Sequence, residues 1–136
     1  MIRVTRRETF SAAHRLYNPA WTDERNEAVF DKCNNPAGHG HNYVLEVTVA
    51  GPIDPATGYL VDLKELKRII RSRVIDKVDH RNLNTDVDFL RGMIPTAENI
   101  AVAIWGQLAD VLPAGRLEKI VLRETENNVV EYRGEQ

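Results

Sequence analysis

The chain has 136 residues, a length typical of one domain, and we expect a single domain over residues 1–136. Its 18 basic and 20 acidic side chains give a formal net charge of −2, so it lacks the excess of lysine and arginine that neutralises a nucleic-acid backbone. It shows no secretory signal and no apolar stretch approaching the roughly 18 residues of a membrane span. We therefore expect a cytoplasmic protein that binds neither nucleic acid nor membrane.

The first half of the chain predicts two strands separated by a long loop. Ile2 to Ala12 is rich in β-branched and aromatic residues and predicts a strand that ends just before His14. From His41 onward apolar side chains occupy alternate positions, which predicts a half-buried strand that stops at Gly51. The stretch from Arg15 to Gly40 has no consistent period, so we expect an irregular loop. Loops of this length in compact domains are commonly functional.

Two helices and two further strands are predicted in the second half. Asp62 suits the N-cap of the first helix, with Glu65 as its capping-box partner. Thr96 suits the N-cap of the second helix, whose apolar residues recur at helical spacing. The two strands that follow are separated by a short turn and cover about Leu117 to Glu124 and about Val129 to Arg133.

This order of strand, strand, helix, helix, strand, strand is typical of an α+β domain. It favours a four-stranded, mainly antiparallel sheet with both helices packed on one face. An open sheet leaves unpaired backbone groups at its edges, and subunits that join edge to edge would satisfy these groups. The pattern therefore favours an oligomer assembled through its sheets.

Three of the four histidines are candidates for a metal site. His39 and His41 stand at the start of the second strand, where side chains at positions i and i+2 point to the same face. If the first two strands form an antiparallel hairpin, His14 lies beside them. Three imidazoles without a fourth protein ligand are typical of a catalytic zinc site with one open position. The alternative is that these are ordinary surface or core histidines, because the His-x-His pattern is common by chance.

Four other side chains are candidates for chemistry. Cys33 precedes His39 by six residues, and its thiol can be a fourth metal ligand, a buried apolar group or a proton-transferring base. The pair Asp79 and His80 can act as a base oriented by an acid, although a polar pair at a helix C-terminus is the simpler interpretation. Glu124 can accept two parallel hydrogen bonds from an amino-pyrimidine edge, or can be solvated like most glutamates at strand ends.

Several separated motifs occur in a characteristic order along the chain. They are FSAAHRL at residues 10–16, CNNPAGHGHNY at 33–43, GPIDPATG at 51–58, DHRNL at 79–83, PTAENIA at 95–101 and ETENN at 124–128. In these motifs the chain closely resembles the family of 6-pyruvoyl-tetrahydropterin synthases and 6-carboxy-tetrahydropterin synthases. The resemblance covers almost the whole length of the chain.

The resemblance implies a tunnelling fold whose subunits join through their sheets into rings, with two rings stacked as a homohexamer. It implies the substrate 7,8-dihydroneopterin triphosphate and a bound Zn²⁺. The implied zinc ligands are His14, His39 and His41. Cys33 corresponds to the catalytic thiol, which Asp79 and His80 of a neighbouring subunit complete as a triad. Glu124 corresponds to the residue that anchors the pterin, and Thr96 to part of the pterin pocket.

The product can be predicted from the spacing around the thiol. In the 6-carboxy-tetrahydropterin synthases of queuosine biosynthesis, the cysteine usually stands two residues closer to the His-Gly-His motif. The longer spacing from Cys33 to His39 is similar to that of the pyruvoyl enzymes of tetrahydrobiopterin biosynthesis, which we therefore predict. Thr96 followed by alanine is, in contrast, common among bacterial relatives of both kinds. A third hypothesis, a non-catalytic pterin-binding ring stabilised by zinc, does not explain why all the candidate catalytic side chains are present.

Overall fold

The computed structural model describes residues 1–135 and contains a five-stranded sheet in the order β3-β1-β2-β4-β5. The strands are β1 (Ile2–His14), β2 (His39–Gly51), β3 (Arg81–Asn82), β4 (Arg116–Arg123) and β5 (Val129–Tyr132). The α-helices are α1 (Asp23–Phe30), α2 (Leu63–Ile70), α3 (Asp76–Val78) and α4 (Ala97–Leu108). The α+β class is confirmed.

The centre of the sheet is the long antiparallel hairpin of β1 and β2. Its register pairs Ile2 with Gly51 at one end and His14 with His39 at the other. The first strand is therefore longer than predicted, because His14 is its last residue rather than a residue beyond its end. The hairpin itself, on which the position of His14 depended, is confirmed.

The prediction of four strands is wrong by one short strand. Arg81 and Asn82 form β3, which runs parallel to β1 beside Ala12 and Ala13. The backbone N–H of Leu83 extends this contact by donating to the carbonyl of Ala13 at 2.8 Å. Two residues are too few to show a strand period in the sequence. The four predicted strands are present and pair antiparallel with their neighbours.

The stretch predicted as an irregular loop contains a short helix. Thr22 caps α1 by accepting from the N–H of Arg25 at 3.2 Å, and α1 leads into a 3₁₀ turn, Asp31–Asn34. Asn26 is the only buried residue of α1, and its side chain bonds to the backbone of Asn18. Because α1 has no apolar stripe, its sequence lacks the usual signal of a helix.

Both predicted helices start at the predicted caps. The carboxylate of Asp62 accepts from the N–H of Lys64 at 2.9 Å, and the hydroxyl of Thr96 accepts from the N–H of Asn99 at 3.2 Å. Glu65 bonds to the guanidinium of Arg68. Beyond α2 the chain continues through one π-helical turn, Arg71–Ile75, into α3.

The core lies between the sheet and the long helices. Alternate side chains of β2 are fully buried and belong to one apolar cluster with those of α2 and α4: Tyr43, Leu45, Val47, Val49, Leu66, Ile70, Ile100 and Ile104. Both helices therefore cover the same face of the sheet. On its other face the hydroxyls of Thr5 and Thr48 bond to each other at 2.8 Å. Within residues 1–135, no helix combines the length and apolar character that crossing a bilayer requires.

Candidate functional site

The three candidate histidines meet where β1 ends and β2 begins. The register places His39 opposite His14 and His41 opposite Ala12, so all three side chains project from the same face. Their candidate ligand nitrogens lie within 4.8 Å of one another. The Nε2 atoms of His14 and His39 are 3.0 Å apart. We call these three residues the histidine cluster.

The most buried member of the histidine cluster is oriented by backbone from a distant segment. His14 is 1% exposed, and its Nδ1–H donates to the carbonyl of Pro95 at 2.7 Å. With the proton on Nδ1, the Nε2 atom is left with its lone pair, as a metal ligand requires. Burial lowers the pKa of His14, and the bond to Pro95 opposes this only in part. The imidazole is therefore held in its neutral form.

The other two histidines carry buried nitrogens without partners. Among the described residues, His39 Nδ1 and His41 Nε2 are buried and make no hydrogen bond. A buried polar atom without a partner costs about 1–3 kcal/mol. Burial also lowers the pKa of His41. The converging nitrogens, of which His41 Nε2 has no hydrogen-bond partner, fit a metal ion that would bind one nitrogen of each histidine at once.

An acid and a phenol stand beside the histidine cluster. Glu124, the residue after β4, has its Oε1 at 3.6 Å from His41 Nε2 and is partly exposed. The hydroxyl of fully buried Tyr43 lies 3.4 Å from His14 Nδ1. Burial and then the charge of Glu124 raise the pKa of Tyr43, which keeps the phenol protonated. Tyr43 was not predicted as a residue of the site, although its position two residues after His41 places it on the same face.

Cys33 lies in the 3₁₀ turn that follows α1. Its side chain is partly exposed, and its carbonyl accepts from the backbone N–H of Leu16 at 2.8 Å. The converging ligand atoms found among residues 1–135 are those of the histidine cluster and do not include this thiol. The structure therefore gives no support for Cys33 as a fourth metal ligand.

Asp79 and His80 follow α3 and form a hydrogen-bonded pair, which we call the dyad. The Nδ1 of His80 is 3.0 Å from Asp79 Oδ1, which also accepts from the N–H of Ser11 at 2.9 Å. This bond from Ser11, more than the nearby imidazole, lowers the pKa of Asp79. The backbone N–H of His80 donates to the carbonyl of Ser11 at 2.6 Å and holds His80 at a φ of 60°. The imidazole itself is 82% exposed.

The dyad lies beside strand residues whose side chains project from the face of the hairpin opposite to the histidine cluster. His80 lines a cavity of about 440 Å³ whose wall also includes His41, and three of the other lining residues are Ser11, Ala13 and Asn42. The side chains of these three residues alternate along β1 and β2 with those of His14 and His41, so they point to the opposite face of the hairpin. The imidazole of His80 is accordingly presented away from the histidine cluster of its own chain.

Thr96 is the N-cap of α4, and its position links it to the histidine cluster. It directly follows Pro95, whose carbonyl orients His14. Its side chain is partly exposed. The start of α4 therefore lies against the site. The role of the Pro95 carbonyl could not be found from sequence, because a backbone acceptor leaves no residue-type signal.

The chain is similar to proteins of one family over nearly its full length. The sequence profile described as 6-pyruvoyl tetrahydropterin synthase matches residues 3–135. A human relative, 6-pyruvoyl tetrahydrobiopterin synthase, is 50% identical over 98% of this chain and 92% of its own length. The structure of Caenorhabditis elegans 6-pyruvoyl tetrahydropterin synthase is 41% identical, with a TM-score of 0.92 over 98% of this chain and 96% of that one. A Pyrococcus furiosus relative named dihydroneopterin monophosphate aldolase is 33% identical over 90% of this chain and 89% of its own length.

Proposed function

The chain belongs to the 6-pyruvoyl tetrahydropterin synthase family, and we propose that it converts 7,8-dihydroneopterin triphosphate into 6-pyruvoyl-tetrahydropterin with elimination of triphosphate. The observation that carries the proposal is the convergence of His14, His39 and His41 beside the carboxylate of Glu124. This reaction moves hydrogens within the substrate, so no external redox cofactor is required.

His14, His39 and His41 are the proposed ligands of a zinc ion. Three observations support this assignment. Burial lowers the pKa of His14 and of His41, His41 Nε2 has no hydrogen-bond partner, and the cluster found among residues 1–135 has no fourth ligand. When bound, zinc supplies Lewis-acid chemistry that polarises the hydroxyls of the substrate side chain and makes the neighbouring protons easier to remove. The Pro95 carbonyl keeps His14 in the required tautomer.

Glu124 is the proposed anchor of the pterin ring. Its carboxylate can accept two parallel hydrogen bonds from the amino-pyrimidine edge, as acidic side chains do when they bind exocyclic amines of bases. Because Glu124 lies 3.6 Å from His41, a pterin held there would place its side chain beside the histidine cluster. Thr96 at the start of α4 is the proposed neighbour in the same pocket.

Cys33 and the dyad are the proposed proton-transfer groups. The ionised carboxylate of Asp79 accepts from the Nδ1–H of His80, which leaves His80 Nε2 free to take up and return a proton. The thiol of Cys33 transfers the proton at the other side of the substrate. Since His80 points away from the cluster of its own chain, we infer that it serves the site of a neighbouring subunit.

The edges of the sheet support assembly into rings. β3 covers only Ala12 and Ala13 of β1, so most of the outer edge of β1 lacks a neighbouring strand among the described residues. β5 forms the opposite edge. Free strand edges favour pairing with further copies of a chain. This arrangement supports a homohexamer of two stacked rings whose active sites lie between subunits.

The decisive test is incubation of the purified, zinc-loaded protein with 7,8-dihydroneopterin triphosphate, followed by mass spectrometry of the products. We expect 6-pyruvoyl-tetrahydropterin and triphosphate in equal amounts. Stoichiometric acetaldehyde in a coupled alcohol dehydrogenase assay would instead support the 6-carboxy-tetrahydropterin synthase reaction. The Pyrococcus relative is named an aldolase, a class of enzyme that cleaves carbon–carbon bonds, as this second reaction does. A zinc-loaded protein that binds the pterin without turnover would support the non-catalytic ring.

A further inference from the structure

Arg15 joins the end of β1 to the turn that carries Cys33. It directly follows His14, and its guanidinium makes two hydrogen bonds to one residue of the turn. Nε–H donates to the backbone carbonyl of Asn34 at 2.9 Å, and Nη2–H donates to the side-chain oxygen of Asn34 at 3.0 Å. Two N–H groups of one planar guanidinium thus hold both acceptors of the residue that follows the thiol.

A third bond holds the turn at the residue that carries the thiol. The backbone N–H of Leu16 donates to the carbonyl of Cys33 itself. Two consecutive residues at the end of β1 therefore hold two consecutive residues of the turn. Among residues 1–135, these bonds from Arg15 and Leu16 are the hydrogen bonds that connect the turn Asp31–Asn34 with residues 15–21.

Arg15 is itself held in place by two neighbours. The amide of Asn84 accepts from the backbone N–H of Arg15 at 2.7 Å and donates to its carbonyl at 2.8 Å. The guanidinium lies 4.1 Å from the ring centroid of Tyr17. No carboxylate of the described residues lies within ion-pair distance of Arg15. The contacts of Arg15 therefore fix the position of its guanidinium and do not neutralise its charge.

We propose that Arg15 is a positioning residue that fixes the thiol of Cys33 relative to the histidine cluster. The proposal rests on the proposed function only for its effect on turnover. Arginine suits the task because its rigid fork reaches two acceptors at once, which a single ammonium group cannot reproduce. A displacement of the thiol by about 1 Å would cost on the order of a hundredfold in rate.

The test compares Arg15→Lys with the matched control Arg25→Lys. Arg25 lies 4.0 Å from the ring centroid of Trp21, in the same segment between β1 and β2, and among the described residues it makes no hydrogen bond with Cys33 or Asn34. We measure kcat, KM, zinc content and, at one fixed pH, the rate at which iodoacetamide alkylates Cys33, the single cysteine of the chain. Arg15→Lys should lower kcat by about tenfold to a hundredfold with unchanged KM and zinc, and should change the alkylation rate several-fold. Arg25→Lys should leave all four quantities unchanged.

Asn34→Ala keeps the proposal falsifiable if Arg15→Lys fails to fold. It removes one acceptor of the fork, and by itself it should lower kcat and change the alkylation rate, with unchanged KM and zinc. Unchanged kcat and alkylation in both variants would overturn the proposal. A raised KM with unchanged kcat would also overturn it, because the guanidinium would then bind substrate. If the unaltered protein shows no turnover, the proposed function fails, but the alkylation rates still decide whether Arg15 positions the thiol.

Discussion

The two candidate clusters near the end of the β1–β2 hairpin are built in opposite ways. The histidine cluster is enclosed: His14 is 1% exposed, its orientation is fixed by the Pro95 carbonyl, and the strand register brings its members together. The dyad is open, with the His80 imidazole 82% exposed on the opposite face. Under the proposed function, burial alone does not identify a catalytic group. An exposed, well-oriented pair can be one half of a site that a second subunit completes.

The largest expected effect comes from breaking the enclosed cluster. We predict that His39→Ala loses zinc and turnover together, because two remaining imidazoles bind the metal far more weakly than three. Zinc is measured by elemental analysis of the purified protein. His80→Ala is the matched control, and it should keep its zinc while it loses turnover. Full zinc occupancy in His39→Ala would contradict the assignment of the cluster.

The next effect separates the thiol from the metal ligands. Cys33→Ala should retain zinc and lose about 10²–10⁴-fold in kcat, the usual contribution of a proton-transferring group. Its melting temperature should change little, since the side chain is partly exposed. If the variant loses its metal instead, Cys33 is a metal ligand and belongs to the enclosed cluster.

The third prediction concerns how the dyad is oriented. Asp79→Asn should lower kcat by about tenfold to a hundredfold and leave zinc unchanged, because an amide holds the His80 imidazole less well than a carboxylate. The hydrogen bond from Ser11 keeps the pKa of Asp79 below its ordinary value of 3.8, so the carboxylate is ionised at neutral pH. The two kcat values are therefore compared at neutral pH, where the carboxylate of the unaltered protein is ionised. A ratio near one would remove Asp79 from the mechanism.

The smallest effect concerns a buried charge on the same face as the histidine cluster but outside it. Glu8 is 7% exposed and accepts from Arg6 at 2.7 Å and from Arg71 at 2.5 Å. Glu8→Gln should lower the free energy of unfolding at pH 7 by about 2 kcal/mol, without affecting zinc content or kcat.

The pH dependence of this difference has a definite sign. Burial raises the pKa of Glu8, but the hydrogen bonds and charges of Arg71 and Arg6 outweigh it, so the pKa in the folded protein lies below 4.5. Its stabilising contribution is therefore complete well above pH 4.5 and is lost as the pH falls through the lower folded-state value. Urea unfolding of both proteins between neutral and acid pH would test this. A stability difference that grows on acidification would contradict it.

The parts of the site that could be predicted from sequence depend on local periodicity. The two-residue period of β2 places His39 and His41 on one face, and the hairpin brings His14 to them. The caps at Asp62 and Thr96 are side-chain signals next to the helices that they start. These predictions needed no information from distant parts of the chain.

The parts that could not be predicted depend on contacts without a local pattern. β3 is only two residues long, and α1 has no apolar stripe, so both lack a period. The Pro95 carbonyl reaches His14 across 81 residues of sequence. The hydrogen bonds from Arg15 to Asn34 could not be predicted either, because neither residue type indicates which residue it will bind. Periodicity determines which side chains face the site, and contacts of this kind determine how those side chains are oriented.

The most direct test of the composite site is complementation between inactive variants. Cys33→Ala and His80→Ala subunits are dissociated, mixed in equal amounts and reassembled, and mixing is verified by native mass spectrometry. If each site takes the thiol from one subunit and the dyad from its neighbour, half of the sites receive an intact thiol and half of those an intact dyad, so about a quarter of the original activity should return. No recovery in verified mixed assemblies would show that the thiol and the dyad act within one chain.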